Sequence, residues 1–389
     1  MKRKALWVAT AFILLLLAFS VDNLAHAVAV TAIINVQQEP TGVAYDSAKG
    51  EIFVVNTNAG TVSVISDTNN TVTATIPLGN PVPIGVATWV AYDSGKGELF
   101  VSLSGTDGEV VVISDSDNTV VDKIVVGGEP EGLAYDSAKG EIFVANALSD
   151  NISVISDETN SEIANVTVPS GTLAIACDSG NGEIYATDLP PNNRSNPNAS
   201  SNTVSVISDS ENLVITNIEV ESNPQGIVYD SGKGEVFVTN LSSETVSIIS
   251  DKTNKVTTTV SIGEYPSSIA YDSEQGELFI GCSNATGLAN PFTTALSVSV
   301  LPDNSNTVSA SIAAGDSGIA YDSSKGEIFV ANALTGTVYV LADTSDASTS
   351  PSQTMPEYNA HALIFVMFAL LTLAIFANLF KKNCKSILN

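Results

Sequence analysis

The middle of the chain is a succession of short apolar stretches, cut by turn residues about every eight to twelve positions. In the first unit, Gly42–Tyr45, Glu51–Asn56, Thr61–Ser66 and Thr71–Leu78 read as four strands, A to D. They are rich in Val, Ile and Thr, whose branched side chains suit a pleated surface better than a helix. In strand B, Ile52 and Val54 face one way and Phe53 and Val55 the other. A strand apolar on both faces must be covered on both. Strand D is richer in Thr, as at Thr257-Thr258-Thr259, which suits an outer edge open to water. The Asp-Ser-x-x-Gly-Glu segment between A and B supplies a turn, because Asp bonds its own backbone and Gly accepts positive φ.

The unit repeats. Tyr-Asp-Ser-x-x-Gly-Glu-(Ile/Leu/Val)-Phe begins at Tyr45, Tyr92, Tyr135, Tyr229, Tyr271 and Tyr321, and a seventh copy has Cys177 for Tyr and Tyr185 for Phe. Its aspartates, Asp46, Asp93, Asp136, Asp178, Asp230, Asp272 and Asp322, are spaced by 47, 43, 42, 52, 42 and 50 residues. That is the length of a four-stranded propeller blade. The last unit stops after its third strand, Thr337–Ala342, and a spare D-like segment, Val30–Val36, precedes the first. Pairing the two would hide the exposed edges of the array. The expected fold is therefore all-β: a seven-bladed β-propeller over residues 28–343, with four-stranded antiparallel blades and a ring closed by an N-terminal strand.

Phe53-Val54-Val55-Asn56, Phe143-Val144-Ala145-Asn146, Phe237-Val238-Thr239-Asn240 and Phe329-Val330-Ala331-Asn332 resemble the Tyr-Val-Thr-Asn motif of the YVTN-family β-propeller repeat proteins. Gly-Thr-Val-Ser-Val-Ile at 60–65 and Gly-Thr-Val-Tyr-Val-Leu at 336–341 fit the same repeat. Many such proteins are archaeal or bacterial cell-surface propellers, including surface-layer components, and the resemblance implies a similar location. Phe replaces the motif's Tyr here, and units two, four and six lose its final Asn. The motif is thus read as structural, and it transfers no catalytic residue.

The ends carry different signals. Lys2, Arg3 and Lys4, the apolar run Ala5–Phe19 and Ala25-His26-Ala27 read as a secretory signal over 1–27. Residues 344–359, rich in Ser, Thr and Pro, read as a stalk. Ala360–Phe380 is apolar for 21 residues, about 31 Å as a helix, and predicts a transmembrane helix. Lys381, Lys382 and Lys385 in the tail 381–389 place that side in the cytoplasm and the propeller at the cell surface.

Composition narrows the chemistry. The chain has 42 Asp and Glu against 15 Lys and Arg, and six of those basic residues lie at the two ends. So acidic a middle repels phosphates, and no nucleic acid is expected as partner. The two histidines, His26 and His361, leave 28–358 without an imidazole, which removes His-ligated metals and Ser/His/Asp or Cys/His catalysis. Cys177, Cys282 and Cys384 form no CxxC, and the first two read as small buried residues. The seven Asn-x-Ser/Thr sequons are no more than this composition gives by chance.

Three departures from the repeat fall on the face that carries the B–C and D–A connections: Gly79–Val90, Asp188–Asn202 and Ser283–Ala295. Long loops on a rigid scaffold commonly carry recognition. Trp89, Pro191, Arg194, Asn198, Asn284, Pro291 and Phe292 are the candidate partner-binding residues. The expected function is a membrane-anchored, non-enzymatic binding or scaffold module for an envelope protein, a glycan or a neighbouring copy. One alternative is a calcium-dependent propeller hydrolase, lactonase or lyase; another is a structural coat component. No catalytic residue, metal ligand or cofactor is assigned. Calcium is the one ion weighed, at the opposite face, where the seven turn aspartates are joined by Asp67, Asp115, Asp157, Asp209, Asp251, Asp303 and Asp343.

Overall fold

A computed structural model describes residues 28–79, 86–188, 201–263, 265–284 and 295–343, all within one compact unit. The expected signal, stalk and transmembrane segment lie outside the described residues. Among the described residues no helix is long and apolar enough to cross a membrane.

The described strands form seven four-stranded antiparallel sheets. In the first, strand A is Pro40–Asp46, B Glu51–Asn56, C Thr61–Ser66 and D Thr71–Pro77. Six blades follow that order. The seventh takes three strands from the end of the domain and Val28–Asn35 from its beginning, which pairs antiparallel with Thr337–Asp343. Neighbouring blades touch through their A strands, and the last, Ile319–Asp322, meets the first, so the ring is closed.

Burial follows the pattern of the sequence. Strand B is buried on both faces, and Phe53, Phe100, Phe143, Phe237 and Phe329 are fully buried. Each core joins two blades: Phe143 and Val154 of the third pack with Ile184 and Ala186 of the fourth. A blade therefore has no complete core alone, and the ring is the stable unit. Strand D is mostly exposed, as the outer edge, and covers its sixth residue, Ile76 and Ile218. Cys282 is buried, but Cys177, expected to be buried, is only half so.

The repeated Asp-Ser-x-x-Gly-Glu is a turn held at both ends. Asp46 Oδ1 accepts the Ala48 and Lys49 backbone N–H groups at 2.8 and 3.3 Å, and the other blades repeat this. Gly140 adopts φ +67°, and a Cβ there would lie 2.6 Å from Asp157 Oδ2 of the adjoining C–D turn. The turn lysines reach the next blade. Lys49, Lys139, Lys233 and Lys325 meet Asp115, Asp209, Asp303 and Asp67 at 2.9, 3.2, 2.7 and 3.4 Å. The repeat tyrosines work beside them, as Tyr92 donates to Asp115 at 3.0 Å. Burial first, then neighbouring carboxylates, hold these phenols well above their ordinary range.

Candidate functional site

Strand A does not pair fully with strand B. The register shifts between Pro40 and Val43, and again at Ala87/Val90, Pro130/Leu133, Thr172/Ile175 and Pro224/Ile227. Two residues per blade are thereby left out of the ladder at the start of the innermost strand: Thr41-Gly42, Thr88-Trp89, Glu131-Gly132, Leu173-Ala174 and Gln225-Gly226. A bulge re-aims side chains in this way. The second residue of each pair is small, apart from Trp89. A Cβ at Gly132 would come within 2.6 Å of the Leu173 carbonyl of the next blade, so the A strands close in on the axis.

Hydroxyls on strand B fill the gaps left by the shift. Ser102 Oγ accepts the Trp89 N–H at 3.1 Å and donates to the Glu131 carbonyl of the next blade at 2.8 Å. Thr187 bridges Ala174 N–H and Gln225 carbonyl, both at 3.0 Å. Thr239 bridges Gly226 N–H and Ser267 carbonyl at 2.8 and 3.0 Å.

Inside this collar lies an axial cavity of about 270 Å³, whose walls include Trp89, Leu173, Gln225, Ser267, Asp316 and Ser317. Trp89 also packs against the core shared by the second and third blades. The Asp316 carbonyl accepts from Ser267 and Ser268 Oγ at 3.1 and 2.9 Å, and burial pushes its carboxyl up. Burial likewise raises Glu131, which accepts from Ser104 Oγ at 2.9 Å. Among the described residues no basic side chain lines the cavity. A broader depression of about 730 Å³ lies between the seventh and first blades, around Gln37, Asn58 and Leu334.

The chain matches no family model and no curated protein. Hydrazine synthase from Kuenenia stuttgartiensis is similar in fold, with a TM-score of 0.66 and 16% identity over 79% of this chain and 97% of that one. The likeness is one of fold. It rests on the seven-bladed ring, and no residue of the cavity is assigned by it.

The predicted site residues divide. Trp89, placed by the sequence in a loop, stands in strand A of the second blade, Val86–Asp93, and reaches the cavity. The correction follows from the register shift, which makes an irregular strand resemble a connection. Asn284 ends strand B of the sixth blade, opposite Ala295, and its side chain lies outside the described residues. Pro191, Arg194, Asn198, Pro291 and Phe292 also lie outside them. The long connections leave from the ends of strands B at Asp188 and Asn284, level with the starts of strands A and hence with the cavity. Sequence reasoning missed Leu173, Gln225, Ser267 and Asp316. The available signal was their unlikeness: at one level of the ring the blades carry Thr41, Thr88, Glu131, Leu173, Gln225, Ser267 and Ser317, where the rest of the repeat keeps one residue type.

The motif asparagines belong to the scaffold. Asn56 donates to Thr61 and Ser63 at 3.1 and 2.9 Å and Asn240 to Thr245 and Ser247 at the same distances, each within its own blade, while Asn56 Oδ1 accepts the Gln37 N–H of the preceding connection at 3.2 Å.

Proposed function

We propose that the chain is a non-enzymatic binding module, displayed at the cell surface, that takes a neutral sugar unit of a glycan into its axial cavity. The observation that carries this reading is the cavity wall, which gathers Trp89, Leu173, Gln225, Ser267, Ser317 and Asp316 and, among the described residues, no cation. Sugars present apolar C–H faces that lie on aromatic rings and hydroxyls that pair with amides and carboxylates. The volume suits one or two sugar rings and not a folded partner. The acidic domain disfavours anionic glycans. The motif likeness to YVTN repeats and the signal and anchor read in the ends of the chain support the surface placement, with the long connections ready to extend the contact to an envelope protein or a second copy.

Fluorescence tests this directly. The chain has two tryptophans, Trp7 and Trp89. In a Trp7→Phe protein, neutral oligosaccharides are expected to shift Trp89 emission saturably and uronic-acid oligomers not to. Gln225→Ala, on the opposite wall, should weaken binding about tenfold, a loss of roughly 1.4 kcal/mol. Saturable binding unchanged by Gln225→Ala, or binding only of anionic glycans, would overturn the reading.

A further inference from the structure

The turn face follows one plan at most blade junctions, and the junction between the fourth and fifth blades breaks it. At the first, Lys49 Nζ lies 2.9 Å from Asp115 Oδ1 and also meets the main-chain carbonyl of Asp115. Lys325 grasps the same two atoms of Asp67, and Lys96 meets the carbonyl of Asp157. Where the lysine is present it is the third residue after the turn aspartate, and the sixth blade carries Gln275 at that position. In the fourth blade that residue is Asn181, and its amide turns back to Asp178 Oδ2 at 2.9 Å.

The carboxylate facing this substitution is Asp251, 8% exposed. Tyr229 donates to its Oδ2 at 3.1 Å, while its Oδ1 is buried with no hydrogen-bond partner. Among the described residues it is the only C–D turn aspartate left with a buried, unpartnered oxygen. Glu183 stands close by, accepting from Tyr185 at 2.8 Å and from Asn254 at 3.0 Å. A buried carboxylate oxygen with neither a donor nor a positive charge beside it is costly, and the A–B turn aspartates such as Asp46 and Asp93 carry such an oxygen too. The sister junctions indicate where that charge sits, because a lysine ammonium fills the position there.

We infer that this junction binds a calcium ion in the place of the missing ammonium, through Asp251 Oδ1 and the Asp251 carbonyl, with water completing the shell. Asp178 and Glu183 supply further negative field. Among the described residues no three acidic side chains are arranged to chelate one metal. A site with so few protein oxygens would be filled out by water and would bind no more tightly than about millimolar, and calcium tolerates irregular sets of carboxylate, carbonyl and water oxygens where magnesium requires an octahedron. The site is on the face opposite the axial cavity and does not depend on any role for that cavity.

The test compares the intact protein with Asn181→Lys, which restores the repeat's own cation, and with Asp251→Asn. Thermal midpoint and heat of binding are followed with CaCl2, against MgCl2 and NaCl at matched ionic strength. In wild type the binding heat should be half-saturated at about 1 mM calcium, and the folding constant should rise about tenfold at ten times that concentration. Asn181→Lys should begin with a higher midpoint and not respond, and Asp251→Asn should not respond. Equal responses of wild type and Asn181→Lys, equal effects of calcium and magnesium, or no heat and no shift in wild type would each overturn the inference. If Asp251→Asn fails to fold, the wild-type and Asn181→Lys pair decides alone.

Discussion

Asp188 stands where four other blades carry Asn56, Asn146, Asn240 and Asn332 at the end of strand B. It is 2% exposed and accepts from Thr203 Oγ1 at 2.8 Å and Ser205 Oγ at 2.9 Å, yet burial pushes its carboxyl up to about 6. A carboxyl raised above its unfolded value favours the fold when protonated. That contribution is complete below about pH 4 and is lost as pH rises through about 6. Asp188→Asn restores the motif residue without the charge. It is expected to stabilise the protein by about 3 kcal/mol above pH 7 and by nothing near pH 4, read from denaturant midpoints at the two pH values. An equal gain at both would assign the effect to hydrogen bonding and not to charge. Glycine at a turn offers a second test at this scale. Gly140→Ala adds a side chain where φ is +67° and Asp157 already fills the space, at an expected cost of about 1–3 kcal/mol in the same measurement.

At the scale of the element, strands B, C and D were legible because each serves one environment along its whole length: buried on both faces, or buried inside and wet outside. Strand A serves two. Its second half, Tyr-Asp at the turn, repeats and was read correctly. Its first half leaves the ladder to face the axis, and neither the alternation of a strand nor the composition of a loop marks it. Trp89 was consequently given to a connection. Asp316 went unnoticed because it occupies the position where Pro40, Pro130, Pro224 and Pro266 open their strands. The hydroxyls that bridge the gap give the element its own prediction. Thr239→Val keeps the shape and removes both bonds, leaving the Gly226 N–H and the Ser267 carbonyl short of a partner. Leaving a buried polar group unpaired costs about 1–3 kcal/mol, so Thr239→Val should lower the urea midpoint accordingly. Phe237→Ala, a cavity in the adjoining core, should cost about 3–5 kcal/mol.

For the whole molecule, counting strands was enough to predict closure, because an odd strand at each end of a repeat array is best satisfied by its counterpart. The unlike residues of the cavity were not legible in that way, since they become neighbours only once the ring brings seven distant strand starts together. Closure also sets how the molecule fails. Val28–Asn35 is the outer strand of the seventh blade, and Ile34 packs in the core that joins that blade to Ile52 and Val54 of the first. Moving this segment to follow Asp343, in a permuted chain, preserves every pair in the blade but removes the covalent crossing between the two ends of the array. The junction between the seventh and first blades then rests on side-chain packing, on Lys325 with Asp67, and on the Gly318 N–H to Thr41 carbonyl bond at 2.6 Å. The permuted protein is expected to keep its strand content by circular dichroism, while hydrogen exchange loses its single cooperative opening and becomes fastest in the first and seventh blades. Uniform exchange across all seven blades, as fast or slow as in the parent, would mean that packing between blades holds the ring without help from the shared blade.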